Sequence, residues 1–123
     1  MRILKFRAWD VFNGEMFPKP VDDDLLVKFF REVNERKVGG NTVHIMQFTG
    51  LQDRNGREIY ESDKINFFDI SESKYDKAII EWDKSRCALV PKTNFGFITW
   101  DFVDQIEIIG NIYETLDLRR TPI

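Results

Sequence analysis

Two kinds of hydrophobic spacing divide this chain. Leu25, Leu26, Phe29, Phe30 and Val33 recur at helical spacing, with Lys28, Arg31, Glu32 and Glu35 on the opposite side. Asp22, Asp23 and Asp24 stand where carboxylates cap free amides and complement the helix dipole. Arg36 and Lys37 sit at the other end, and Gly39-Gly40-Asn41 breaks the pattern. The spacing predicts one helix over 22–37. Almost everything else has the period of two that marks strands.

Before the helix, Ile3 to Trp9 and Glu15 to Phe17 read as strands around an Asn13-Gly14 turn, stopped by Pro18 and Pro20. From Thr42 onward, short apolar runs are separated by turn residues. Strands are predicted at Val43–Phe48, Lys64–Ile70, Lys77–Trp82, Arg86–Val90 and Ile106–Tyr113. Asp53-Arg54-Asn55-Gly56 and Asp83-Lys84-Ser85 serve as turns, and Ser71–Asp76 as a polar loop. Phe95–Trp100 is aromatic and β-prone, and Asp101–Gln105 reads as one helical turn. Gly110, inside the last strand, points to a bulge or a close backbone approach. The pattern predicts an α+β fold that is mostly β. Its β part is a small antiparallel SH3-like barrel or curled sheet, with one α-helix from the N-terminal half packed on it.

Composition narrows the function classes. With 123 residues, the chain is expected to form a single domain over 1–123, with its β-rich part at about 42–115. Eleven Phe, three Trp and three Tyr are enough to fill one core. A net charge of −3 argues against a general polyanion binder. Lys5 and Arg7 alternate with apolar neighbours and read as the solvent face of a strand. The opening Met1–Arg7 is too charged for a secretion signal, and no apolar run approaches a membrane span, so a cytoplasmic location is expected.

Candidate chemistry is sparse. One Cys and one His exclude the usual structural zinc sets within a single chain. His44 lies inside a strand with no group to orient it, and reads as structural or surface. Cys87, expected in a strand, reads as a small buried apolar residue rather than a reactive thiol. The three aspartates before the helix read as a cap rather than a magnesium or calcium site, because adjacent residues there splay apart. No phosphate-binding glycine loop and no nucleophile elbow is present. No metal, cofactor or catalytic residue is assigned. The one surface worth naming combines Lys84, Arg86 and Lys92 with Phe95, Phe97 and Trp100, since lysines and aromatics on a sheet can serve single-stranded nucleic acid. The competing reading places those aromatics in the core.

Three segments carry a resemblance. They are Leu4–Asp10 (LKFRAWD), Met46–Asp63 (MQFTGLQDRNGREIYESD) and Ile106–Glu114 (IEIIGNIYE), in this order and spacing. Together they resemble the YopX-like family of phage and prophage proteins. That pattern has glycine where Ser62 stands, an apolar residue at Lys64, and a glycine near Lys77. The resemblance implies a protein encoded in phages, prophages or mobile elements, similar to small self-associating proteins, with no catalytic residues to carry over. The chain is therefore expected to be a phage- or prophage-derived accessory protein that binds rather than catalyses. It would work as a homo-oligomer on a host or phage protein, in the host cytoplasm. Two alternatives stand beside this: a nucleic-acid-binding small barrel, and a hydrolase using carboxylates and a divalent metal.

Overall fold

The computed structural model describes residues 4–18 and 26–114. The elements in chain order are β1 (Phe6–Asp10), β2 (Glu15–Phe17), α1 (Leu26–Val38), β3 (Val43–Gln52), β4 (Glu58–Tyr60), β5 (Asp63–Asp69), β6 (Lys74–Asp83), β7 (Ala88–Thr93), β8 (Gly96–Phe97), a 3-10 turn (Trp100–Phe102) and β9 (Val103–Asn111). The chain forms two compact units, Met1–Phe48 and Thr49–Ile123, with β3 running from the first into the second.

In the first unit, β1 is the middle strand, antiparallel to both β2 and β3: Ala8 lies opposite Phe17 on one side and Ile45 on the other. Phe29 and Val33, four residues apart on α1, are buried against Ala8, Phe17 and Val43. The Phe29 ring lies 5.8 Å from Phe17 and 6.4 Å from Phe6, offset contacts that favour aromatic pairs. The helix thus covers the N-terminal strands, held by the residues whose spacing predicted it.

An ionic joint ties the same helix to the β1–β2 turn. The Arg36 guanidinium donates to Asp10 at 2.6 Å, Glu15 at 2.7 Å and Glu32 at 2.5 Å, and stacks 3.9 Å from the centre of the Phe17 ring. Asp10 is 0% exposed. Burial alone would raise its proton affinity. The Asn13 amide, Arg36 and the Asn13 and Asn41 side chains outweigh that and hold the carboxyl well below the usual range. Burial likewise works against the Arg36 charge, but its three carboxylate partners push its affinity for a proton higher still. The predicted aspartate cap of the helix lies outside the described residues.

In the second unit the order is β8-β7-β6-β5-β9, antiparallel throughout. On β5 burial alternates strictly: Asp63, Ile65, Phe67 and Asp69 point inward, and Lys64, Asn66 and Phe68 outward. Ile59, Ile65, Phe67, Ala78 and Ile80 form the core, with Leu89, Ile98, Trp100, Ile106 and Ile108 packed around it. Residues from both ends of the strand order reach this one cluster, so the sheet is curled into a half-barrel. Two irregularities on β9 assist the curl, with Gln105 at φ 49° and Gly110 at φ 146° beside register shifts against β5. The small antiparallel curled sheet expected from the turn spacing is present.

Cys87 corrects an expectation. It is exposed and lies in the β6–β7 turn, at φ 51°, not buried in a strand. The turn runs over 84–87, one residue longer than Asp83-Lys84-Ser85 implied: Asp83 joins β6 and accepts hydrogen bonds from the Ser85 amide and hydroxyl, and Arg86 and Cys87 fall in the turn.

Candidate binding surface

The buried carboxylates of the second unit are structural, and this decides what the remaining surface can do. Asp53 accepts from the amides of Asn55 and Arg57, each at 2.9 Å, and from Ile108 at 3.0 Å. Burial raises its proton affinity; the Ile108, Arg57 and Asn55 amides and the Arg57 charge more than offset this and lower it. One side chain thereby joins the Asp53–Gly56 turn to β9, some fifty residues away. Asp69 and Asp83 make matching turns. The Ser71 hydroxyl lowers Asp69, and the Ser85 hydroxyl, with Arg86, lowers Asp83. Asp63 accepts the Tyr60 amide at 2.8 Å. Among the described residues, no three Asp, Glu, His or Cys side chains gather where a metal ion could be held.

Ser62 follows the same architectural logic. It adopts φ 75°, the left-handed region that glycine occupies more easily. Its amide donates to Ile80 O at 2.8 Å, and its carbonyl accepts from Ile112 at 3.1 Å. The backbone is held in this conformation from both sides.

The six surface residues named from the sequence do not form one patch. Trp100 packs against the core, its indole N–H donating to Leu89 O at 2.9 Å. Lys84 and Arg86 belong to the β6–β7 turn, where Arg86 pairs with Asp83. Lys92, Phe95 and Phe97 belong to the β7–β8 hairpin, at the other end of β7. There Lys92 lies opposite Phe97, its ammonium 5.3 Å from the ring centre, and Phe95 stands at the tip, 87% exposed. Thr93 shapes that tip by accepting the Phe95 amide and donating to Gly96 O. His44 is exposed on β3.

Residues not singled out from the sequence complete the surface around this hairpin. Lys74 approaches the Phe95 ring at 5.5 Å. Tyr75, 68% exposed, meets Phe68 edge-on at 5.0 Å and donates from its hydroxyl to Gln105. Ile70 and Phe102, both partly exposed, are joined by a backbone hydrogen bond of 2.9 Å. The β5–β6 turn, the hairpin tip and the 3-10 turn therefore present an apolar end to the half-barrel.

Two open grooves flank β6 here. One, of about 390 Å³, is lined by Asp69, Glu72, Asp76 and Lys74 with Phe95 and Phe97. The other, of about 480 Å³, is lined by Lys64, Lys77 and Lys92 with Tyr75, Ile79 and Ile109, and by Asp76, which borders both grooves. Lys74 and Asp76 alternate with Tyr75, Lys77 and Ile79 along the strand, so these two sets of side chains point to opposite faces of the sheet. The first is acidic and the second basic. In the first, the Ser71 hydroxyl donates to Asp69 at 2.6 Å, but that hydrogen bond and the turn amides lower the carboxylate's proton affinity and make it a poor base.

Among the described residues, no helix is long and apolar enough to cross a membrane. A crystal structure of protein EF1440 from Enterococcus faecalis is similar in fold, with a TM-score of 0.55 and 23% identity over 94% of this chain and 97% of that one. No curated protein matches the chain. The family description "YopX protein" matches residues 5–118, which covers most of both units and, apart from Leu4, the three sequence motifs. This chain belongs to the YopX family.

Proposed function

We propose that this protein is a phage- or prophage-derived accessory protein of the host cytoplasm that acts by binding rather than catalysis, and that it does so as a homo-oligomer. The observation that carries this is the apolar end of the half-barrel. Phe95 and Tyr75 are exposed by 87% and 68%, with Ile70 and Phe102 beside them. Exposed aromatics grouped at one place are characteristic of protein interfaces. The buried carboxylates are engaged in turns, which leaves the surface suited to docking rather than to acid–base chemistry. A second copy of the chain is the occupant proposed for this end, and a host or phage protein would be engaged by the assembly. Light scattering at micromolar concentration tests it. A mass at a multiple of 14.6 kDa is expected, and a strict monomer refutes the oligomer.

One observation favours a second reading, a nucleic-acid-binding small barrel. Lys64, Lys77 and Lys92 share a face with Tyr75 and Phe97, a combination used to follow a phosphate backbone and stack bases. This reading requires binding to an oligonucleotide that weakens steeply with salt. Absence of a mobility shift at low salt removes it.

A further inference from the structure

The longest strand of the half-barrel outruns its neighbour. β6 begins at Lys74, but its pairing with β7 runs only from Ile79, opposite Lys92, to Asp83, opposite Ala88. Beyond Lys92 the chain turns into the β7–β8 hairpin and pairs with itself. Residues 74–78 are paired on one side with β5, and among the described residues they have no strand on the other. The Lys77 amide shows which groups face the open side. It donates to the carboxylate of Asp76 at 2.7 Å instead of to a ladder carbonyl. In an antiparallel pair, residues alternate between bonding across and pointing their amides and carbonyls away. Lys77, opposite Asn66, is therefore of the second kind, and so is Tyr75 two residues before it. Both direct backbone N–H and C=O groups towards the gap between β6 and the hairpin.

The two grooves border that gap, and the balance of charge is acidic in one and basic in the other. An extended segment laid along residues 74–78 would send alternate side chains into each. One set would meet Asp69, Glu72 and Asp76 beside the Phe95 ring. The other would meet Lys64, Lys77 and Lys92 beside Tyr75. We infer that the open edge of β6 receives an extended peptide segment by strand addition, and that it selects one whose successive side chains alternate between basic and acidic. Asp76 guards the edge in the free protein. By occupying the Lys77 amide it discourages indiscriminate pairing, as charged residues on sheet edges generally do. A matching strand displaces it with a backbone carbonyl and gives it a cation in exchange. Backbone bonds supply affinity, and the two faces supply selectivity. This surface shares Tyr75 and Phe95 with the end proposed above for self-association, so a peptide and a second copy would compete for it.

The test uses the full chain labelled with nitrogen-15 and an acetylated, amidated hexapeptide of alternating lysine and glutamate between terminal valines. Its control has the same composition with the two lysines adjacent and the two glutamates adjacent. Titration with the alternating peptide is expected to shift the amide signals of Tyr75, Lys77 and Thr93–Phe97 and to slow Lys77 hydrogen exchange at least tenfold. The control should bind at least tenfold more weakly. D76K, which reverses the charge at a half-buried strand position, should abolish the preference while leaving the rest of the spectrum in place. E72K, in the turn, is a second variant that should weaken binding without touching β6. Equal shifts with both peptides, no shift at millimolar peptide, or shifts confined to other strands would each overturn the proposal. So would a Lys77 amide already protected in a light-scattering dimer without peptide, which would assign the edge to a second copy. A monomer that binds the alternating peptide refutes self-association and leaves strand addition standing.

Discussion

The two faces of the five-stranded sheet are built from the same strands, one residue out of step. On the inner face, Ile65, Phe67, Ala78 and Ile80 are all at most 5% exposed and interchangeable in character. On the outer face, Lys64, Phe68, Tyr75, Lys77 and Ile79 mix charge, aromatic ring and aliphatic chain. The inner face answers to one demand, close packing, and its chemistry is uniform for that reason. The outer face has no such demand, so an exposed tyrosine or a row of lysines there calls for another explanation. The difference teaches where to look for function in a chain without a catalytic motif: among residues that the core does not use.

Substitutions can break this contrast, and the largest effect belongs to the inner face. F67A removes a fully buried ring and should cost about 4 kcal/mol in a denaturant titration, whereas K77A, on the outer face of the neighbouring strand, should stay within about 0.5 kcal/mol. Next comes the carboxylate that clamps β9. D53A leaves the amides of Asn55, Arg57 and Ile108 without their acceptor and should cost about 3 kcal/mol, while R57A, which removes a half-exposed partner, should cost well under 1 kcal/mol. If the two are equal, the ion pair rather than the amide clamp holds the turn.

Acid should act through the same clamps. Asp10, Asp53, Asp69 and Asp83 all bind protons less readily in the folded chain than at the ordinary value of 3.8. The unfolded state therefore takes up protons first. The stability these groups supply is complete above that value and is lost as pH falls through their lower folded values. Melting temperature should be flat from neutral pH to about 5 and drop below about 4, with a shallower drop in D53N. The smallest effect is expected at Ser62. S62G relieves a left-handed backbone but adds freedom to the unfolded chain, and should stabilise by about 0.5 kcal/mol. A loss of stability would mean that the serine side chain holds the turn.

Much of the fold was legible because burial imposes periods. The helix followed from Phe29, Phe30 and Val33, and β5 from the alternation of Ile65 and Phe67. The early hairpin followed from Asn13-Gly14, where Gly14 indeed has φ 63°. Other features depend on contacts distant in sequence. Lys74, Tyr75 and Asp76 read as a polar loop, but they are strand, because β5 supplies their pairing from the other side of a turn. The grooves exist only because β6 extends past β7, a mismatch of lengths that no local pattern encodes. Of the site residues, Lys92, Phe95 and Phe97 share a hairpin, at the other end of β7 from Lys84 and Arg86. Trp100 could not be told from them, since counting aromatics does not say which ring packs against Leu89 and the core. Cys87 falls in the turn, which runs over 84–87, one residue longer than Asp83-Lys84-Ser85 implied.

The exposed end of the half-barrel is proposed as an interface and not merely surplus apolar surface. Light scattering of the wild type beside the Y75S/F95S double variant, with thermal melts of both, decides this. A wild-type oligomer is expected, with a variant reduced towards 14.6 kDa and melting transitions of the monomeric fold that remain cooperative in both. A variant that keeps the wild-type mass, or a wild type that is already monomeric, would contradict it.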